Sequence, residues 1–258
     1  MPEDDPGPIC TQPAQPERPS EQRHRHTFTG ATPERLAASL SLATVASDAG
    51  GLLEVSSDLT SFGIGHSFPT GISIRNALLV IEASWNGQPL AQIDGPTIPF
   101  YGSDEVPGAQ PGDYAGMPGK GYAKVLEGRI NGQGPVVRPV LFIDAEGVYD
   151  NTLLSAGTTD TVTVRFQLPP QAKPGDLVEV TSRLLYRRSW RALAVTKGWT
   201  ETPQGGPIEI ESHRNDLEVV LIEGGGGSVI DIPTLGSLGL GVLALLLGWV
   251  GFLALRRR

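Results

Sequence analysis

The feature of this sequence that most restricts its fold is an uncharged apolar stretch at residues 235–255, followed directly by Arg256, Arg257 and Arg258. At about 1.5 Å per helical residue, this stretch spans the roughly 30 Å hydrocarbon core of a membrane. Arginines at the end of such a helix stay on the cytoplasmic side. The pattern therefore predicts a single C-terminal transmembrane helix, with a cytoplasmic C-terminus and the body of the protein on the other side.

The composition of the chain is typical of strands and turns. The sequence contains 33 Gly and 22 Pro, which is more than a helical protein tolerates. The net charge of −8 argues against nucleic acid as a partner, because an acidic domain repels the phosphate backbone. Cys10 is the only cysteine, so the chain has neither an internal disulfide nor a cysteine-rich metal site.

The order of segments predicts one folded domain between two unstructured or membrane-bound ends. Residues 1–30 are polar and rich in proline, which indicates a disordered or truncated linker. Residues 31–222 form the predicted domain. Residues 223–231 are a glycine-rich linker, and residues 232–258 contain the anchor.

Within the predicted domain, segments rich in β-branched residues are bounded by Gly, Pro, Asn or Asp. These predicted strands are 52–57, 77–85, 122–126, 136–143, 159–168, 177–186 and 208–222. About seven such strands predict a mainly β fold, namely an antiparallel β-sandwich.

Local signals add turns and two short helices. The Asn86-Gly87 pair predicts a type I′ hairpin turn. Thr32 followed by Pro33 predicts the start of a short helix that runs through residue 40, and residues 188–197 before Gly198 predict a second one. The proline- and glycine-rich segment 94–121 is predicted to be an irregular loop and a possible functional insertion.

Ile232, Pro233, Thr234 and Leu235 stand immediately before the apolar stretch. The motif, the apolar span and the basic end, in this order, resemble the IPTL-type C-terminal sorting signal of bacterial surface proteins. In that family a membrane-embedded exosortase-like enzyme recognises the motif and cuts nearby. The resemblance implies a temporary anchor, a body in the periplasm or at the cell surface, and an exosortase-like processing partner.

The first residues, MPEDDPGPIC, have neither the basic nor the apolar region of a signal peptide. A sorting signal acts on exported chains, so the two ends conflict. Either the true start of the protein lies upstream of Met1, or the tail alone inserts and leaves the body in the cytoplasm. We favour the first explanation.

Residues 65–71 read GHSFPTG, and other short pieces follow a fixed order around them. These pieces are HTFTG at 26–30, GYAKVL at 121–126, DNTL at 150–153 and RLLYRR at 183–188. The ordered set resembles the C-terminal β-rich part of certain bacterial multihaem c-type cytochromes, which have a GHxxPTG motif. The resemblance covers residues 26 to about 199.

In such cytochromes each haem is held by a CxxCH motif, and a distant histidine often supplies the second axial ligand. The resemblance implies that His66 and His26 lie where distal ligands would be. This sequence contains no CxxCH, and Cys10 precedes Thr-Gln-Pro. The chain is therefore expected to hold no covalent haem itself; any haem would come from another polypeptide or from a missing N-terminal region.

Alternatives remain for each of these residues. His66 can equally lie in a tight turn with its imidazole bonded to backbone, and His26 can lie in a solvated loop. Arg183, Arg187 and two neighbouring arginines, at 188 and 191, can face a haem propionate or an acidic partner, or form a simple exposed face.

We find no nucleophile with a histidine and acid partner and no metal site, so no enzymatic activity is expected. The sequence indicates a domain that supports or caps an electron-transfer assembly, with a multihaem cytochrome as partner. A haem-free structural or adhesive surface module is the alternative.

Overall fold

The computed structural model describes residues 31–202, 206–223 and 229–230, and this part of the chain is mainly β. The strands are β1 (Leu40–Asp48), β2 (Leu52–Ser61), β3 (Asn76–Trp85), β4 (Gln88–Pro89), β5 (Gln92–Asp94), β6 (Gly119–Glu127), β7 (Gly147–Asn151), β8 (Thr159–Gln167), β9 (Leu177–Arg187), β10 (Glu209–Val220) and β11 (Val229–Ile230). The two helices are α1 (Pro33–Ala37) and α2 (Arg191–Lys197).

The strands form two antiparallel sheets that pack face to face, which confirms the predicted mainly β sandwich. The first sheet has the order β1-β2-β8-β5, and the second has the order β11-β10-β9-β3-β6-β7, with β4 beside β3. Alternate residues of each strand point between the sheets, as Val162, Val164 and Phe166 of β8 do. The hydroxyl groups of Ser57 and Ser182 lie 3.1 Å apart and join the two sheets inside this core.

The second sheet is covered on its outer face as well. There Leu78, Val80 and Leu185 form a separate buried cluster with Tyr101 and Trp190. Tyr101 belongs to the segment between β5 and β6, which was predicted to be an irregular loop. This segment is thus part of the folded domain, because it covers the outer face of the second sheet and closes a second hydrophobic core there.

Six of the predicted strands correspond to β2, β3, β6, β8, β9 and β10. The predicted strand at 136–143 is wrong: it contains only one isolated bridge, from Gly128 to Val137, and a 3₁₀ turn at Phe142–Asp144. Pro139 lies in its middle and has no N–H group to donate to a neighbouring strand. The hairpin is confirmed, since Asn86 and Gly87 have φ values of 52° and 73°.

Helix α1 ends at Ala37, earlier than predicted, because Leu40 already belongs to β1. Helix α2 ends at the predicted glycine, Gly198, whose φ of 64° is left-handed. Strands β1, β5, β7 and β11 were not predicted, and β11 lies in the segment that was predicted to be a glycine-rich linker.

One side of the sandwich is closed by side chains of β10. The His213 Nε2 atom lies 2.9 Å from the Leu40 carbonyl oxygen, and the Asn215 amide donates to the Leu42 carbonyl oxygen over 2.9 Å. A carbonyl oxygen only accepts, so His213 must carry its proton on Nε2. These bonds satisfy the outer edge of β1 without a further strand.

The burial of His213 makes stability depend on pH. Burial lowers the pKa of His213 from its ordinary value of 6.5, although the Leu40 carbonyl oxygen partly opposes the shift. The unfolded chain therefore takes up a proton on His213 at a higher pH than the folded chain. The free energy of unfolding is expected to fall as pH drops below about 6.5, until the folded protein is protonated too.

Urea unfolding at about pH 5.5 and about pH 7.5 tests this expectation. The variant His213→Gln retains an amide donor for Leu40 but cannot titrate in this range. Its loss of stability between the two pH values is expected to be smaller than that of the wild type. Equal losses in the two proteins would contradict the assignment.

No helix in the described ranges is long and apolar enough to cross a membrane. The predicted span at 235–255 lies outside them, as do the sorting motif and the three terminal arginines.

Candidate functional site

The GHSFPTG motif forms the beginning of the loop that connects β2 to β3. Phe68 anchors this loop, because its backbone forms a two-way hydrogen-bonded bridge with Leu154, with distances of 2.7 and 2.8 Å. The Phe68 ring is buried and lies 6.0 Å from the ring of Tyr186. The motif is thus attached to the sandwich through its buried centre, Phe68 and Pro69, while Gly65, His66, Thr70 and Gly71 are exposed.

His66 lies on the exposed part of this loop. Its Nδ1 atom is 3.2 Å from the carbonyl oxygen of Ser67. Because that oxygen only accepts, the contact requires a proton on Nδ1. Within the described residues, Nε2 has no hydrogen-bond partner. The imidazole thus contacts backbone, and its role as a distal ligand stays a prediction.

An open groove of about 380 Å³ lies beside the loop. Its lining combines the end of the motif with residues of distant segments: Pro69, Thr70, Gly71, Ile72, Ser73, Arg75, Lys124, Leu126, Phe142 and Leu153. The groove therefore brings together three of the pieces on which the sequence resemblance rests, those at 65–71, 121–126 and 150–153. It lies at the edge of the second sheet where β6 pairs with β7.

Two cations line the groove. Arg75 donates to the Thr70 carbonyl oxygen over 3.3 Å and packs beside Gly71. Neither Arg75 nor Lys124 forms an ion pair with a carboxylate in the described part of the chain. The nearby arginines differ, since Arg129 pairs with Glu146 and Arg138 with a glutamate of β6. The positive charge of the groove is thus not neutralised from within the described domain.

Apolar side chains around the groove are unusually exposed. Phe142 is 64% exposed and Ile72 is 43% exposed. Ile143, Val148 and Tyr149, which are close to Phe142 in the sequence, are exposed as well, and the Arg138 guanidinium lies 4.1 Å from the centre of the Tyr149 ring. Exposed apolar side chains mark a binding surface when they form one patch.

The four arginines at the end of β9 do not form the exposed basic face that was one of the sequence alternatives. Arg183 pairs with Glu82, and Arg187 is 1% exposed and pairs with Glu209. Arg187 also donates to the carbonyl oxygens of Gly102 and Gly112. The other two arginines bond in the same way to neighbouring backbone, the one at 188 to Ala31 and the one at 191 to Pro111.

Arg187 thus attaches the segment between β5 and β6 to the second sheet. The sequence analysis did not predict this role of Arg187. Its partners are Glu209 and two glycine carbonyl oxygens of the segment between β5 and β6, and nothing in the sequence pairs them with Arg187. A patch of arginines without nearby acids in the sequence can still be internally bonded once the strands pair.

His26, the other predicted distal ligand, lies outside the described residues, as does Cys10. In the ranges that the structure describes, no group of three or more His, Cys, Asp or Glu side chains is placed to hold a metal ion. The candidate site consists of the groove and of His66, which belongs to the same loop but does not line the groove.

The sequence matches no protein-family model and no curated protein. One solved structure is similar. It is a penta-heme cytochrome c552 from Thermochromatium tepidum, with a TM-score of 0.49, 17% sequence identity and coverage of 72% of this chain. This chain spans 41% of the length of that protein.

Proposed function

We propose that this chain is a membrane-anchored, surface-exported β-sandwich related to multihaem cytochromes. In this proposal it supports or caps an electron-transfer assembly, and it offers His66 as an axial ligand to a haem held by another polypeptide or by a preceding region of the same protein. The observation that carries the proposal is the orientation of the His66 imidazole, whose Nδ1 atom contacts the Ser67 carbonyl oxygen and whose Nε2 atom has no hydrogen-bond partner among the described residues. An imidazole bonded through Nδ1–H can bind iron through Nε2.

The residues present fit one part of a c-type haem site and not the other. His66 can supply an axial nitrogen, and the Ser67 carbonyl oxygen can orient its ring. Covalent attachment does not fit, because the sequence has a single cysteine and no CxxCH. A bound haem would provide the electron transfer, while this chain would hold one face of it and exclude water there.

The membrane part of the proposal rests on the C-terminal sequence. Ile232 to Leu235 would be recognised by an exosortase-like enzyme, and Arg256 to Arg258 would hold the C-terminus in the cytoplasm until cleavage. The body would then lie in the periplasm or at the cell surface, which is where multihaem cytochromes would be available as partners.

A haem peptide with one histidine ligand and an open sixth position tests the role of His66. We expect the wild-type protein to convert the peptide to a low-spin, bis-histidine spectrum. The variant His66→Ala is expected to bind at least about tenfold more weakly, because it lacks the axial nitrogen. The variant Gln133→Ala, which changes another exposed loop residue, is expected to bind like the wild type.

An unchanged spectrum and affinity in the His66→Ala variant would remove the proposal. The variant His26→Ala, measured in the same titration, shows whether the second predicted ligand takes part. Circular dichroism of each variant confirms that the sandwich is intact.

A haem-free adhesive surface module remains the second candidate. The observation that favours it is the exposed apolar surface of Phe142, Ile143, Val148 and Tyr149, which is typical of protein contact sites. If the wild type fails to alter the haem peptide at any concentration, this second function is the better explanation of the fold.

A further inference from the structure

The groove beside the β2–β3 loop is lined by both apolar and positively charged side chains, and a role of His66 as an axial ligand does not explain this lining. Ile72, Leu126, Phe142 and Leu153 provide apolar surface, while Arg75 and Lys124 provide positive charge at the same opening. Most of the cationic side chains around it are already paired. The ligand that complements such a groove is apolar in its body and carries carboxylates at one edge.

The charges make this complementarity selective. The chain has a net charge of −8, so most of its surface repels anions. In the described part of the chain, Arg75 and Lys124 lack a carboxylate within 4.0 Å, in contrast to the Arg129–Glu146 pair close by. An anion that enters the groove therefore meets two cations without having to displace a carboxylate, although Arg75 already donates to the Thr70 carbonyl oxygen.

The size of the groove limits what it can hold. A volume of about 380 Å³ is near the lower end of the range for small-molecule sites, which extends to roughly 1,000 Å³. Because the groove is open to solvent, it can enclose one edge of a flat molecule while the remainder projects outward. The exposed side chains of Phe142 and Ile72 would cover one face of that molecule.

We propose that this groove binds the carboxylate edge of a porphyrin, with Lys124 and Arg75 on the propionates and Phe142 against the ring. The inference rests on the proposed function for its choice of ligand, but it concerns different residues from the axial ligand. It also explains why the pieces at 65–71, 121–126 and 150–153 meet in one place.

Iron-free protoporphyrin IX separates this groove from His66, because it has propionates but no metal to ligate. Quenching of its fluorescence by the protein gives the affinity. We expect Lys124→Gln to bind at least about threefold more weakly, and the double variant Arg75→Gln/Lys124→Gln about tenfold more weakly. Lys173→Gln, a change at an exposed lysine in the β8–β9 connection, is expected to leave the affinity unchanged.

The dimethyl ester of the same porphyrin is the second arm. It retains the apolar body without the charges, so its binding is expected to be the same for the wild type and for Lys124→Gln. The variant Phe142→Ser is expected to weaken the acid and the ester alike. Lys124 and Phe142 are both exposed, so neither change should disturb the fold, whereas Arg75 also holds the Thr70 carbonyl oxygen.

The proposal is overturned if the acid and the ester respond equally to Lys124→Gln, or if Lys173→Gln weakens binding as much. A haem peptide that depends on His66 but not on Lys124 would overturn this inference alone. Porphyrin binding that depends on Lys124, together with haem-peptide binding that ignores His66, would overturn the axial-ligand proposal alone.

Discussion

Replacing Arg187 with methionine is expected to lower the free energy of unfolding by about 3–5 kcal/mol. The change removes a buried guanidinium that donates to Glu209 and to the carbonyl oxygens of Gly102 and Gly112. The carbonyl oxygen of Gly102 then loses its donor in a buried position, where water cannot replace it, and that of Gly112 loses its donor in a part-buried one. Urea or guanidinium unfolding of the two proteins gives the difference directly.

The matched control for this prediction is Arg165→Met. Arg165 also forms two ion pairs, with Glu54 and Asp94, but its side chain is 45% exposed. Exposed pairs contribute little, so the loss is expected to be much smaller than that of Arg187→Met. Similar losses of unfolding free energy for the two variants would show that the buried bonds of Arg187 do not hold the segment between β5 and β6 on the second sheet. If Arg187→Met is too unstable to purify, Arg187→Lys supplies an intermediate test, since one ammonium cannot satisfy three spread acceptors.

Replacing Gly119 with alanine is expected to cost about 3 kcal/mol or more. Gly119 pairs with Val80 at the start of β6 and has a φ of 137°, a conformation that is nearly restricted to glycine. A Cβ atom at this position would collide with the carbonyl oxygen of Leu79 in the adjacent strand. Relief of that collision requires β3 and β6 to move apart.

Gly157→Ala separates the two causes. Gly157 also has a positive φ, of 70°, but a Cβ atom there would meet no other atom within 4 Å. Its cost is expected to be about 1–2 kcal/mol, from the left-handed backbone alone. If Gly119→Ala costs no more than Gly157→Ala, then β3 and β6 do not approach as closely as the pairing requires.

The sandwich could be predicted because the pattern of apolar and polar residues in its central strands is typical of β-strands. In β8 the buried residues alternate with polar ones, and in β3 the run from Ala77 to Ile81 is continuously apolar. That continuous run also contained a signal that was not used: a strand without a polar face is buried on both sides. It required a cover on the outer face, which the segment between β5 and β6 provides.

The elements that escaped prediction are those whose stability comes from tertiary contacts. Strand β1 contains two alanines and two serines, which have weak strand propensity, and β10 side chains bond to two of its carbonyl oxygens. Strand β7 is short and mostly exposed. The groove was beyond sequence reasoning for the same reason, because Arg75, Lys124 and Phe142 meet only after distant strands have paired.

The strand order described above has a consequence for how fast this protein folds. Strand β2 pairs with β8, and β3 pairs with β9. Residues that are far apart in the sequence, such as Ser56 and Thr163 with a separation of 107 positions, must therefore come into contact during folding. The hairpins β1–β2 and β9–β10 are local and can form early. Closing the long connections costs chain entropy before it brings any contact, so folding is expected on the slow scale of milliseconds to seconds that is typical of nonlocal β topologies.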